Sequence, residues 1–249
     1  MKKMMAVGLC LFLCMSNTVA VNAAEYKDPR IQEIYEEYKD LKEFQLMREE
    51  YGQEYTDDFL EAVLESRLAE LQRGGMGDVC YQYVKNLKQT ETYNCGPATI
   101  LQTLHGIGCA DAVSGSNDDE KVNNLTKECK SDSNGTMVYI VTNVLNSYCN
   151  KGYIYEVCTN MAMDTFEAKI AASLTAGRPV LLHAKTGGFK YYGGKNSGHY
   201  ISLDYINRTT KMVRVVDCNW DDKDYGVHEV TLEEAYKSVH EESGRFIIH

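Results

Sequence analysis

In the stretch QTETYNCGPATILQTL, residues 89–104, a cysteine sits between an asparagine and a Gly-Pro pair, directly ahead of a helical apolar pattern. A thiol placed there can do chemistry. Pro97 fits the first turn of a helix, where its missing N–H costs nothing, so Cys95 falls at the helix N-terminus. The partial positive charge of that end favours thiolate and lowers a cysteine's pKa. Gly96 leaves the backbone open to close approach by a substrate. A cysteine that only packs, or that forms half of a disulfide, needs none of these neighbours.

A thiolate nucleophile needs an imidazole partner, and the chain has six histidines. His105 lies ten residues along the same helix, too far to reach Cys95. His183 falls inside the apolar run RPVLLHAK and reads as a satisfied core residue, while His228, His240 and His249 lie in polar or terminal segments and read as solvent-facing. His199 differs: it follows the glycine-rich loop KTGGFKYYGGKNSG and opens the alternating run HYISLDYIN, a junction where a scaffold can present a base. Asp217, at the end of KMVRVVD, can orient that imidazole across a hairpin, with Asn219, two residues on, in reserve for the same part. The backbone N–H of Cys95 and the carboxamide of Gln89, six residues upstream, could hold a developing oxyanion.

The elements that must bring these residues together can be read from periodicity. Ile100, Leu101 and Leu104 continue the Cys95 helix, which Gly106 and Gly108 end. DAVSGSNDDEKVNN reads as polar surface. SNGTMVYIVTNVLNSY reads as a turn and a helix capped by Thr136, and MDTFEAKIAASLTAG as a helix capped by Asp164 or Thr165 and stopped by Gly177. The period then changes to that of strands: RPVLLHAK, HYISLDYIN, KMVRVVDCNW after a polar turn at residues 207–210, and RFIIH. Helices first and adjacent antiparallel strands second make an α+β domain over residues 79–249. Ahead of it, residues 25–78 form a helical arm. Ile31, Ile34, Tyr35, Tyr38, Leu41 and Phe44 recur at helical spacing, as do Leu60, Val63, Leu64, Leu68 and Leu71. YGQEYTDD breaks the two, with Thr56 or Asp57 as cap, and RGGMGD is a hinge.

QTETYNCGPATILQTL followed by SGHYISLDYIN and VRVVDCNW resembles the papain-like cysteine peptidases. Within them it is most similar to the bacteriocin-processing, double-glycine branch and its stand-alone relatives. The match runs from about Val84 to the C-terminus and takes in GRPVLLHAK. The resemblance implies a papain-like fold, Gln89 as oxyanion donor, Cys95 as nucleophile, His199 as general base and acid, and Asp217 as orienter. That branch usually has Asp-Pro after the last strand, whereas this chain has Asp217-Cys218-Asn219-Trp220, which leaves Asn219 beside Asp217 as the third member. The transporter-fused relatives also work on the cytoplasmic side, so leader processing during export is not inherited.

Residues 1–24 read as an export signal: Lys2 and Lys3, an apolar run too short to span a bilayer, and small residues around Ala23 and Ala24 for cleavage. Later runs fall short of a membrane span, so a secreted protein without stable membrane insertion is expected. The formal net charge is −10, and loss of a leader with two lysines and no acid leaves −12. So acidic a chain is a poor partner for nucleic acid. Seven cysteines follow the signal: Cys80, Cys95, Cys109, Cys129, Cys149, Cys158 and Cys218. In an oxidising compartment paired cysteines are expected: six could form three disulfides, of a connectivity that spacing does not choose, and the odd count points to one free thiol.

The expected function is a secreted cysteine peptidase acting on peptide or protein substrates, with no metal-spaced motif and no cofactor. Transglutaminase-like acyl transfer on the same residues is a rival, and a binding module on a degenerate peptidase fold another. The arm could be a pro-segment over the active site or plain packing. Gly74-Gly75 reads first as a hinge and also, less closely, as a double-glycine site for self-cleavage after Gly75.

Overall fold

In a computed structural model, residue 26 and residues 28–72, 77–241 and 244–249 are described. The expected signal and the Gly74-Gly75 site lie outside them. Among the described residues no helix is long and apolar enough to cross a membrane.

The chain forms helices α1 (Pro29–Tyr38), α2 (Lys42–Gln72), α3 (Cys95–Gly106), α4 (Asp118–Glu128), α5 (Val138–Cys149), α6 (Met163–Thr175) and α7 (Leu232–His240). Strands are β1 (Val79–Tyr81), β2 (Tyr155–Val157), β3 (Val180–Lys185), β4 (Gly198–Asn207), β5 (Met212–Asp217), β6 (Gly226–Thr231) and β7 (Phe246–Ile248). All pair antiparallel in one sheet of order β2-β7-β3-β4-β5-β6, with β1 on the far end of β4. The α+β expectation holds.

Both faces of the sheet are covered. Tyr200, Leu181, Phe246 and Ile248 join a core with α1–α5, while Ile201, Leu203, Leu182 and Ile247 join a second core with α6 and α7. The alternation of HYISLDYIN therefore marks two buried faces rather than one wet face. Its polar members are paired in place: Ser202 Oγ donates to Gln102 Oε1, and Asp204 takes a two-pronged bond from Arg214.

Several local expectations change. The helical pattern up to Phe44 spans two helices, since α1 ends at Tyr38 and Phe44 belongs to α2. The break in α2 is at Gly52, whose φ of 81° suits glycine. Thr56 and Asp57 do not cap: Thr56 Oγ1 donates to Gly52 O, and Asp57 accepts from Tyr26 OH and Gln53. Thr136 is not the cap of α5 either, because Met137 holds that place and the Thr136 hydroxyl bonds Ser131. Asp164 and Thr165 lie inside the first turn of α6, capped at Ala162. The polar stretch after Gly108 is in part α4, capped by the Asn117 side chain and begun by three acidic residues. Only Val122 and Leu125 of α4 are buried, too thin an apolar signal to read. The residues of α7 were open to reading through the Thr231–Glu234 capping box.

The arm packs as part of the first core. Tyr38, Phe44 and Phe59 cluster with Tyr155 of β2, and the Tyr38 hydroxyl accepts from Val157 N at 3.0 Å. Glu50 accepts from Tyr139 of α5, and Tyr55 donates to Asn143.

The seven described cysteines are all free thiols, so none of the three bridges that six of them could have formed is present. Cys80 and Cys158 lie in one core, Cys95, Cys129 and Cys218 in the other, where most serve as small apolar side chains. Burial pushes the Cys129 thiol up to about 12.

Candidate active site

Cys95 is the first residue of α3, with Pro97 in the first turn as its spacing requires. Gly96 is small for a reason other than substrate approach. A Cβ there would lie 3.1 Å from Thr136 Oγ1 and 3.2 Å from Val141 Cγ2, so the residue lets α3 pack against the start of α5. The 82–89 segment is stitched to α3 by Gln82 Nε2 on Gly106 O and Gln102 Nε2 on Leu87 O. Gln89 N then donates to Cys218 O at 2.7 Å, tying this segment to the residue after β5.

His199 is the second residue of β4 and Asp217 the last of β5. His199 Nε2 lies 2.8 Å from Asp217 Oδ1, and both side chains are buried. With Nε2 engaged, Nδ1 is the ring nitrogen left for another partner. Asn219, the alternative orienter, points elsewhere: its N–H donates to Asp217 Oδ1 and its Nδ2 to Tyr192 OH. The structure thus places His199 on Asp217 rather than on Asn219.

The electrostatics follow from this arrangement. Burial would raise the Cys95 thiol, but the charge of His199 and a hydrogen bond to it, with backbone N–H groups of Tyr200 and Gly96, outweigh burial and lower it. Burial would lower His199; the negative charges of Asp217 and Cys95 and the Asp217 hydrogen bond lift it well above its ordinary value. Asp217 is held below the usual carboxylate value, where burial is offset by His199 and by hydrogen bonds from Tyr192 and Tyr191. The three shifts agree in direction: thiolate, imidazolium and carboxylate stabilise one another.

Gln89 is buried, and its Nε2 donates one N–H to Glu91 O at 2.6 Å, leaving the other N–H of the carboxamide. Its Oε1 lies 3.7 Å from the Cys218 sulfur, which is also 3.6 Å from Cys95 O. Among the described residues one cluster has donors close enough for a metal, His199, Asp217 and Cys218, all within 4.8 Å. The 2.8 Å between the first two is a hydrogen-bond distance, so an ion between them would have to part the pair.

The other histidines separate cleanly. His183 is stacked on Tyr200 with Nε2 3.0 Å from Arg245 Nη1, and burial with that cation pushes it down to about 3. Its Nδ1 has no partner, so it is only half satisfied. His249 is buried on Glu156, and His228 is half-buried against Tyr191, which corrects their reading as solvent-facing. His240 is also half-buried, on Cys158 O. His105 pairs with Asp118.

Sequence reasoning missed Tyr191 and Tyr192, whose hydroxyls both donate to Asp217 Oδ2. The signal was available: two adjacent tyrosines in the loop ahead of His199.

A cysteine at a helix N-terminus with a histidine–aspartate pair on an antiparallel sheet is the arrangement of the papain-like cysteine peptidases. The Peptidase_C39 like family pattern matches residues 81–245, and the chain belongs to that family of cysteine peptidases. Similar solved structures include a double-glycine-motif protease from an AMS/PCAT transporter in complex with its leader peptide. It is 13% identical with a TM-score of 0.42, covering 68% of this chain and 91% of that one. Prevotella intermedia prointerpain A is 12% identical with a TM-score of 0.48, covering 76% and 81%. Active interpain A from the same organism is 15% identical with a TM-score of 0.47, covering 70% and 95%. No curated protein matches the chain.

Proposed function

We propose that the chain is an exported cysteine peptidase that cleaves peptide or related amide bonds through a thioester on Cys95. The observation that carries this reading is the His199–Asp217 hydrogen bond of 2.8 Å beside a thiol whose pKa His199 lowers. The thiolate of Cys95 attacks the scissile carbonyl carbon. The oxyanion that forms takes hydrogen bonds from the Cys95 N–H and the remaining Gln89 N–H. As the tetrahedral adduct collapses, the His199 imidazolium gives its proton to the leaving amine. Neutral His199 then takes a proton from water, which attacks the thioester carbonyl and releases the acid and Cys95. Asp217 holds the imidazole in its tautomer and stabilises its charged form throughout. Export rests on the leader-like residues 1–24.

The test is hydrolysis of a mixed peptide library, followed by mass spectrometry. Cys95→Ala is expected to cleave nothing, and Gln89→Ala to lose about 10²–10³ in kcat, the cost of one oxyanion donor. Wild-type cleavage by Cys95→Ala, or a disulfide on Cys95 in an active preparation, sinks the proposal. Product carrying an added amine in place of the new carboxylate would assign acyl transfer instead.

A further inference from the structure

The carboxylate of Asp217 is fully buried and accepts four hydrogen bonds from protein groups. Oδ1 takes the His199 ring N–H at 2.8 Å and the Asn219 N–H at 2.9 Å; Oδ2 takes the hydroxyls of Tyr191 at 2.8 Å and Tyr192 at 2.7 Å. These occupy about all the acceptor sites a carboxylate has. The two phenols come from the loop between β3 and β4, and each is fixed by a further contact. Tyr191 lies flat on the His228 ring, centroids 3.8 Å apart and 3° from parallel, while His228 bonds Asp224 O. The Tyr192 hydroxyl accepts from Asn219 Nδ2 at 3.0 Å. Lys195, from the same loop, reaches Asp221 and Asp224 at 3.0 and 2.6 Å. The loop is therefore clamped at three points to the turn after Asp217 and to β6 beyond it. Its phenols take Oδ2 while the imidazole holds Oδ1, and the Tyr192 ring meets the His199 ring edge-on with centroids 6.3 Å apart.

From this geometry we infer that Tyr191 and Tyr192 are positioning residues of the peptidase, acting through Asp217 to keep its charge and plane aimed at His199 and so to maintain the Cys95 thiolate. The inference rests on the function proposed above. A buried carboxylate oxygen that loses one of its two donors holds its charge and its orientation less firmly, at the cost of a hydrogen bond to a charged group. The loss favours taking a proton, which removes the charge that stabilises imidazolium, and favours turning, which weakens the His199 bond. Either outcome raises the Cys95 pKa. A phenol that only fills space, or that only anchors the loop, leaves that pKa in place.

The experiment needs no substrate. The full chain is treated with iodoacetamide across pH, and alkylation of the Cys95 peptide is followed by mass spectrometry, with the other cysteine peptides as internal controls. Wild type, Tyr191→Phe and Tyr192→Phe are compared, each again in an Asp217→Asn background. Each single phenylalanine is expected to move the Cys95 reactivity profile upward by about one pH unit, or about tenfold in rate on its acid side, the usual weight of a hydrogen bond to a charged group. In the Asp217→Asn background the same substitutions are expected to move nothing, because residues that act through one partner are non-additive. Equal shifts in both backgrounds, or no shift in either, overturn the inference. The single phenylalanines keep one phenol on Oδ2, and thermal melts confirm that each variant is folded. A wild-type Cys95 profile like that of an ordinary thiol removes the proposed function itself. A low wild-type profile with unmoved variants removes only the role of the tyrosines.

Discussion

Gly106→Ala sets two physical effects against each other at one position. Gly106 is the last residue of α3 and has helical backbone. On propensity alone, alanine in place of glycine stabilises a helix by about 1 kcal/mol. The tertiary contact says the opposite. A Cβ at Gly106 would lie 2.0 Å from the carbonyl oxygen of Tyr83 and 3.1 Å from its carbon. The obstacle is backbone, so no rotamer change relieves it, and the 82–89 segment must retreat by about 1.5 Å to restore an ordinary contact. That segment is held at Gln82 and Gln102 and ends at Gln89, whose N–H is fixed on Cys218 O. Overpacking against a fixed neighbour costs about 3 kcal/mol at the upper end of its usual range. After the propensity gain, about 2 kcal/mol of destabilisation remains, or about 4–8 °C in Tm for a chain of this size. The assay is a thermal melt of wild type and Gly106→Ala at one pH and scan rate. A variant as stable as wild type, or more so, would refute the close approach and leave propensity as the governing effect.

Three further outcomes follow from single groups. Burial raises Glu43 to about 6 against an ordinary 4.5, with one oxygen unpartnered. A raised folded pKa makes its contribution fullest below about 4.5 and diminishing as pH climbs through about 6. Urea melts of Glu43→Gln should therefore gain about 1–2 kcal/mol on wild type at pH 7.5 and little at pH 4.5; an equal gain at both pH values contradicts this. Lys169 and Glu156 pair at 2.6 Å with 1% and 0% exposure, and His249 shares the same carboxylate. Lys169→Met leaves buried charge behind and should cost about 3–5 kcal/mol in a denaturant melt, where a loss under 1 kcal/mol would show the pair to be dispensable. Finally, thiol titration of the denatured, unreduced protein should count seven thiols among residues 77–249, and five or fewer would contradict the free cysteines.

Much of the candidate site was legible because its parts lie at element boundaries with local signatures. Gly-Pro after Cys95 marks a helix start, and the glycine-rich loop before His199 marks a strand start; both elements begin where expected. Asp217 closes its strand as read. The tyrosines were missed because their partner is 25 or 26 residues away and no periodicity links a loop phenol to a strand-end carboxylate. Counting cysteines left the pairing open, because parity carries no distance; the described thiols are all free and spread over two cores on opposite faces of the sheet.

By itself, then, the sequence determined the local matters: where α3, β4 and β5 run, and which thiol stands at a helix N-terminus. Those follow from short-range sterics, capping and periodicity, which act over a few residues. Only the tertiary structure decided that His199 takes Asp217 and not Asn219, that two phenols complete the carboxylate, and that the arm enters the core through Tyr38 and Phe59. Each of those is a pairing of groups distant in sequence. Burial removes water as the alternative partner, so whichever donor the fold brings within hydrogen-bond reach is the one that must be used.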